Sequence, residues 1–87
     1  MFEVSVMNFD YQALGRAIKE LRKSRSLTQE VLSGLAAIPR SHLSMIECAS
    51  MQPTLDTLFK IAQALEIPVS ELLRLQEEEV RHTGTFK

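Results

Sequence analysis

Apolar residues recur every three or four positions over most of this chain, and strict alternation of apolar with polar positions is confined to its first six residues. Leu14, Ala17, Ile18 and Leu21 fall at i, i+3, i+4 and i+7, with Arg16, Lys19, Arg22 and Lys23 off that stripe. This predicts an amphipathic helix from Tyr11 to about Ser24. Thr28 is placed to cap a short second helix, with Glu30 near its positive end and Val31 or Leu32, Leu35 and Ala36 turned inward. Ile38-Pro39 breaks the pattern, because the proline ring disfavours helical geometry at the residue before it and has no N–H to donate. With Pro39 in the cap position, a third helix carries Leu43 and Ile46 inward and ends near Glu47 or Cys48, and Ile38 against Leu43 makes a hydrophobic staple.

Residues 48–53, CASMQP, read as a loop closed by Pro53, after which Thr54 caps a fourth helix with the stripe Leu55, Leu58, Phe59, Ala62 and Leu65. Pro68 ends it. Ser70 is then expected to cap a fifth helix, with Glu71 in its first turn, Leu72, Leu73 and Leu75 as its apolar set, and fraying after Val80. Phe2, Val4 and Val6 alternate with Glu3 and Ser5, a pattern that fits an edge strand or a disordered leader equally well. The fold class is therefore all-α: five helices in a compact domain over residues 11–75, flanked by extensions at 1–10 and 76–87.

Composition narrows the functions open to such a domain. Eighty-seven residues make one domain, and 45% hydrophobic with 24% charged residues is the makeup of a soluble globular protein. No apolar run approaches the ~18 residues of a membrane span, and the start, MFEVSVMNFD, carries acids where a secretion signal has bases. A cytoplasmic protein without membrane contact is expected. The single cysteine excludes a disulfide framework, so a hydrophobic core must hold the fold. The net charge of −1 hides a segregation: residues 11–65 hold seven bases and four acids, while both ends are acidic. Phosphate binding depends on such local concentration of cations rather than on the total.

The stretch LTQEVLSGLAAIPRSHLSMIECASMQPTLDTLFKIAQALEIPVSELL resembles the helix-turn-helix domain of the Cro, phage-repressor and Xre regulators. The likeness is carried by Leu27-Thr28-Gln29-Glu30, Ala36, Arg40-Ser41, Leu43-Ser44, Ile46-Glu47, Pro53-Thr54-Leu55, Leu58, Ala62, Leu65 and Ser70-Glu71-Leu72. With helix 1 it spans about residues 11–75 without a gap. It implies a repressor-like fold and a sequence-specific DNA-binding transcriptional regulator: a homodimer that reads a palindromic operator in double-stranded DNA with helix 3, Arg40 to Glu47, in the major groove. Helix 2 would cross the phosphate backbone. Arg40 can give a bidentate pair to guanine O6 and N7, Ser41 lies near the groove, and the Met45 thioether can cover a thymine methyl group. Ser44 is a further candidate for base contact. Thr28, Gln29, His42 and Arg25 are candidates for phosphate contact, and Arg22 and Glu47 match positions that form a structural ion pair.

Several positions depart from the family pattern. Ala37 stands in the helix 2–3 turn and Glu66 at the end of helix 4, where glycine is common, and Pro39 replaces a polar cap. The 48–53 loop lacks the glycine and bases often found there, which weakens its phosphate attraction. Arg16, Lys19 and Lys23 add cations to helix 1, although a charged helix face is usually just a solvated one.

His42, Met45 and Cys48 are spaced three apart, but successive helical turns do not converge on one centre, so neither a metal nor another cofactor is expected. No phosphate-binding loop, HExxH or serine-hydrolase elbow is present, and an enzyme is not expected. Within the family, a DNA-binding antitoxin with a toxin partner or a restriction-modification controller would use the same groove chemistry. A protein-interaction module is the alternative of another class. The dimer surface is expected on helix 5 and the Phe2-Val4-Val6 segment.

Overall fold

In the computed structural model the chain is described from Phe9 to Gly84, with side chains placed through Val80. The Phe2-Val4-Val6 alternation lies outside the described residues, which hold five helices and no strand. These are α1 (Tyr11–Ser24), α2 (Gln29–Ala36), α3 (Arg40–Glu47), α4 (Leu55–Ala64) and α5 (Val69–Gly84).

Helix starts follow two local devices. Asp10, Thr28 and Thr54 turn side-chain oxygens onto early backbone N–H groups of α1, α2 and α4, at 2.9 Å to Gln12, 3.1 Å to Val31 and 3.1 Å to Thr57. The other two helices start on proline. The Pro39 carbonyl accepts from the N–H groups of His42 and Leu43, and the Pro68 carbonyl from those of Glu71 and Leu72. Ser70 thus sits inside the first turn of α5 instead of capping it. The φ of Pro68, already near the helical value, lets the helix begin two residues earlier. At its other end α5 continues to Gly84, past the expected fraying point at Val80.

All four inter-helix turns end the preceding helix alike. Ser26, Ala37, Ala49 and Glu66 take left-handed φ values of 56°, 58°, 62° and 62°. The next N–H then reaches back to an orphan carbonyl, Leu27 to Arg22, Ile38 to Ser33, Ser50 to Met45 and Ile67 to Ala62. None is glycine, so each carries a Cβ against the following carbonyl at a cost of about 1–2 kcal/mol. Glycine would relieve this but frees the unfolded chain by about 0.4–1 kcal/mol. Ala37→Gly is therefore expected to stabilise the fold by about 0.5–1 kcal/mol, read as a higher thermal midpoint; a lower midpoint would show that the turn carries no strain.

Leu14 and Ile18 of α1, Leu32 and Ala36 of α2, Leu43 and Ile46 of α3, Leu58, Ile61 and Ala62 of α4, Leu65 and Leu72 form one buried core, with Ile38 packed against it. Leu35, Leu55 and Phe59, expected on inward stripes, are instead 62%, 62% and 53% exposed. Short helices explain the change. α2 packs against both α3 and α4, so its buried face centres on Leu32, Ser33 and Ala36, and the buried Ser33 hydroxyl donates to the Glu30 carbonyl. Ile61, not Leu55 or Phe59, completes the inward face of α4.

α1 is clamped from two sides. α5 packs along it, and the Oε1 of buried Gln76 accepts the Asp10 N–H at 2.7 Å. Gly15 lies against the end of α3, where a Cβ would come within 2.7 Å of the Ile46 carbonyl oxygen and closer still to that of Glu47. Only a residue without a side chain permits this approach.

Candidate nucleic-acid interface

α3 is eight residues long, and its anchorage decides what it presents. Leu43, Ile46 and Glu47 face the interior, so the helical period turns Arg40, Ser41, Ser44 and Met45 to the outward side as i, i+1, i+4 and i+5. Arg40 and Ser41 are exposed at its start, Ser44 is half-buried, and Met45 is 41% exposed one turn on. His42 is half-buried and falls on the opposite edge of that face. The four residues named for base contact thus share one surface, and His42 is set apart from them.

Behind that surface lies a buried polar seam. Arg22 Nε donates to Glu47 Oε2 at 2.7 Å and its Nη2 to Oε1 at 3.0 Å, while Nη1 donates to the Leu27 carbonyl at 2.9 Å. The two side chains are only 9% and 3% exposed. The hydrogen bond that Arg22 donates to Glu47 raises the Arg22 pKa against the opposing cost of burial, so the guanidinium stays charged. Gln29, half-buried at the start of α2, donates its amide to Glu47 Oε1 at 3.0 Å. One carboxylate therefore ties α3 to α1 and α2 together, and a forked guanidinium suits that double attachment.

The remaining phosphate candidates sit on the α1–α2 shoulder. Thr28 is exposed with its hydroxyl engaged in capping, and Arg25 is exposed just after α1. Cys48, exposed at the end of α3, lies 3.4 Å from the Ser50 hydroxyl, whose hydrogen bond lowers the thiol pKa. Among the described residues no three His, Cys, Asp or Glu side chains gather as a metal site.

Two residues that shape the site were not singled out by its sequence pattern. Gly15 had one available signal, a glycine inside an otherwise good helix, which often marks close packing. Gln76 had none, since it reads as one more polar residue on an acidic helix.

The profile of the helix-turn-helix family matches residues 18–72. The immunity repressor protein of Bacillus phage phi105 is 43% identical over 60 residues, which cover 69% of this chain and 42% of that protein. The chain therefore spans less than half the length of that relative. An uncharacterised HTH-type transcriptional regulator of Sinorhizobium fredii, y4dJ, is 32% identical over 65 residues, covering 75% of this chain and 84% of the relative. Among solved structures, the restriction-modification controller protein C.AhdI from Aeromonas hydrophila superposes with a TM-score of 0.71 at 33% identity, covering 72% of this chain and 96% of that one. Among the described residues no helix is long and apolar enough to cross a membrane. With the match reaching from α1 into α5 and the Arg22–Glu47 seam beneath an outward-facing α3, the chain belongs to the Xre/Cro-type helix-turn-helix family.

Proposed function

We propose that the protein is a sequence-specific DNA-binding transcriptional regulator of the repressor type, without enzymatic activity, that inserts α3 into the major groove of double-stranded DNA. The observation that carries this reading is the shared outward face of Arg40, Ser41, Ser44 and Met45 on a helix braced from behind by Glu47. A cationic fork and short neighbours on a rigid rod suit a groove about 12 Å wide, in which each good bidentate pair is worth about 1–3 kcal/mol of discrimination. In this reading residues 11–75 are the DNA-binding unit, and Thr28, Gln29 and Arg25 meet phosphates beside it. His42 meets a phosphate at the far edge of α3.

The active form is a homodimer whose two copies of α3 lie about 34 Å apart and read a near-palindromic operator. Exposed Leu55 and Phe59, one turn apart on α4, supply apolar surface that the monomer leaves uncovered and favour α4 over α5 for the dimer contact. A second reading, a restriction-modification controller, is favoured by the likeness to C.AhdI, nearly all of which is covered. It places the operator beside genes of a restriction system but keeps the same groove chemistry.

Selection of bound DNA from a random pool at stated salt tests the proposal, because it reports sequence preference and half-site symmetry together. Arg40→Ala is expected to lower the ratio of operator to scrambled-DNA affinity by about 5- to 150-fold, the equivalent of 1–3 kcal/mol, with the helical circular dichroism unchanged. Equal affinity for both DNAs, before and after the change, would overturn the assigned role of α3.

A further inference from the structure

Lys19 and Lys23 stand one turn apart on the exposed stripe of α1, together with Gln12 and Arg16. This stripe borders the helix-turn-helix. Gln12 and Arg16 line a cleft with Glu47, Cys48 and Ala49 at the end of α3. Arg22, adjacent to Lys23 in sequence and a helical neighbour of Lys19, is locked to Glu47 and to the Leu27 carbonyl just ahead of α2. The end of α1 is thereby tied to the turn that leads into α2, where Thr28 and Gln29 stand.

Several other cations of the described surface are paired, Arg16 of the same stripe among them. Arg16 pairs with Glu79 at 3.2 Å, Lys60 with Asp56 at 3.5 Å, and Arg74 with Glu71 and Glu78 at 2.8 and 3.3 Å. Among the described residues Lys19, Lys23, Arg25 and Arg40 form no ion pair with an acid. The acids Glu78 and Glu79 of α5 instead gather with Glu20 along the groove that α5 makes with Ala17 and Leu21 of α1. The unpaired cations thus lie on α1, in the turn after it and on α3, while α5 carries Glu71, Glu77, Glu78 and Glu79; Glu30 is the acid in the first turn of α2.

The geometry points to a second phosphate-binding surface: the ammonium groups of Lys19 and Lys23, continuous with Arg25, hold the backbone of duplex DNA flanking the half-site that α3 reads. This rests on the DNA-binding reading above and adds the contacts that carry affinity and salt dependence without sequence information. A point charge on a flexible stem suits that task, since no fixed geometry is demanded of it. The surface also supplies attraction that the base-free loop at 48–53 lacks.

The test compares the wild type with Lys19→Gln/Lys23→Gln, titrating salt against both the selected operator and a scrambled duplex. Loss of two phosphate contacts is expected to reduce the slope of log affinity against log salt by about 1.8, and to weaken both duplexes by the same factor, on the order of 10- to 30-fold at 0.15 M. The operator-to-scrambled ratio should not change, and Lys19→Arg/Lys23→Arg should keep the wild-type slope. An unchanged slope in the folded glutamine variant, with its circular dichroism intact, overturns the proposal while leaving groove reading untouched. A wild type without operator preference whose slope still falls in the variant supports the clamp and overturns groove reading. A wild type that binds neither duplex overturns both.

Discussion

Arg22→Ala is expected to destabilise the domain by about 3–5 kcal/mol, a large part of the stability of a chain this size. The cost comes less from the lost attraction than from what remains. Glu47 is held at 3% side-chain exposure, with the Gln29 amide as its remaining side-chain partner. A carboxylate left in that state must find water or take up a proton, and either course loosens α3 from α1. DNA binding should fall with the folded population, so operator and scrambled duplex lose together, unlike the selective loss expected from Arg40→Ala. Urea titration monitored by circular dichroism provides the measurement. A loss below about 1 kcal/mol would mean that the pair behaves as a solvated surface bridge. Replacing both partners, Arg22→Met with Glu47→Leu, is expected to recover most of the loss, because no unpaired charge then stays buried.

Gly15→Ala is expected to cost about 3 kcal/mol and to lower the thermal midpoint by roughly 12–24 °C. The direction is what makes the experiment informative. Within an ordinary exposed helix, glycine to alanine gains about 1 kcal/mol. At Gly15 the new methyl group would meet the backbone carbonyls of Ile46 and Glu47, which have no rotamer to change, so α1 must move off the end of α3. Gly34, in α2, provides the control, since a Cβ there meets nothing within 4 Å and Gly34→Ala should stabilise. Both substitutions raising the midpoint would show that α1 and α3 do not meet as closely as described. A displaced α1 would also pull Arg22 from Glu47, so the two large effects are coupled and should not add.

Local chemistry made much of this protein legible. The caps Thr28 and Thr54, the breaks at Ile38-Pro39 and Pro68, and the inward pair Leu43 and Ile46 follow from short-range sterics and hydrogen bonding, which depend on neighbours in the chain. Ala37 and Glu66 were likewise readable as turn positions that glycine would suit, and both take the left-handed conformation. Ser70 does not cap α5 because two local devices compete there, and the proline carbonyl starts the helix before a serine cap is needed.

Residues that depend on the angle at which one helix meets another were not legible. Leu35, Leu55 and Phe59 fit an apolar stripe, but an eight- or ten-residue helix packed on two neighbours buries a face set by those neighbours. Gly15 and Gln76 gain their roles only where α1 touches α3 and α5. By itself the sequence determined where the helices begin and end, what joins them, and which side of α3 is polar, because those outcomes are local. Tertiary structure alone decided which apolar residues stay outside, which cations find acids, and how closely α1 approaches the recognition helix. Each of those depends on distances between segments far apart along the chain, which no local preference encodes.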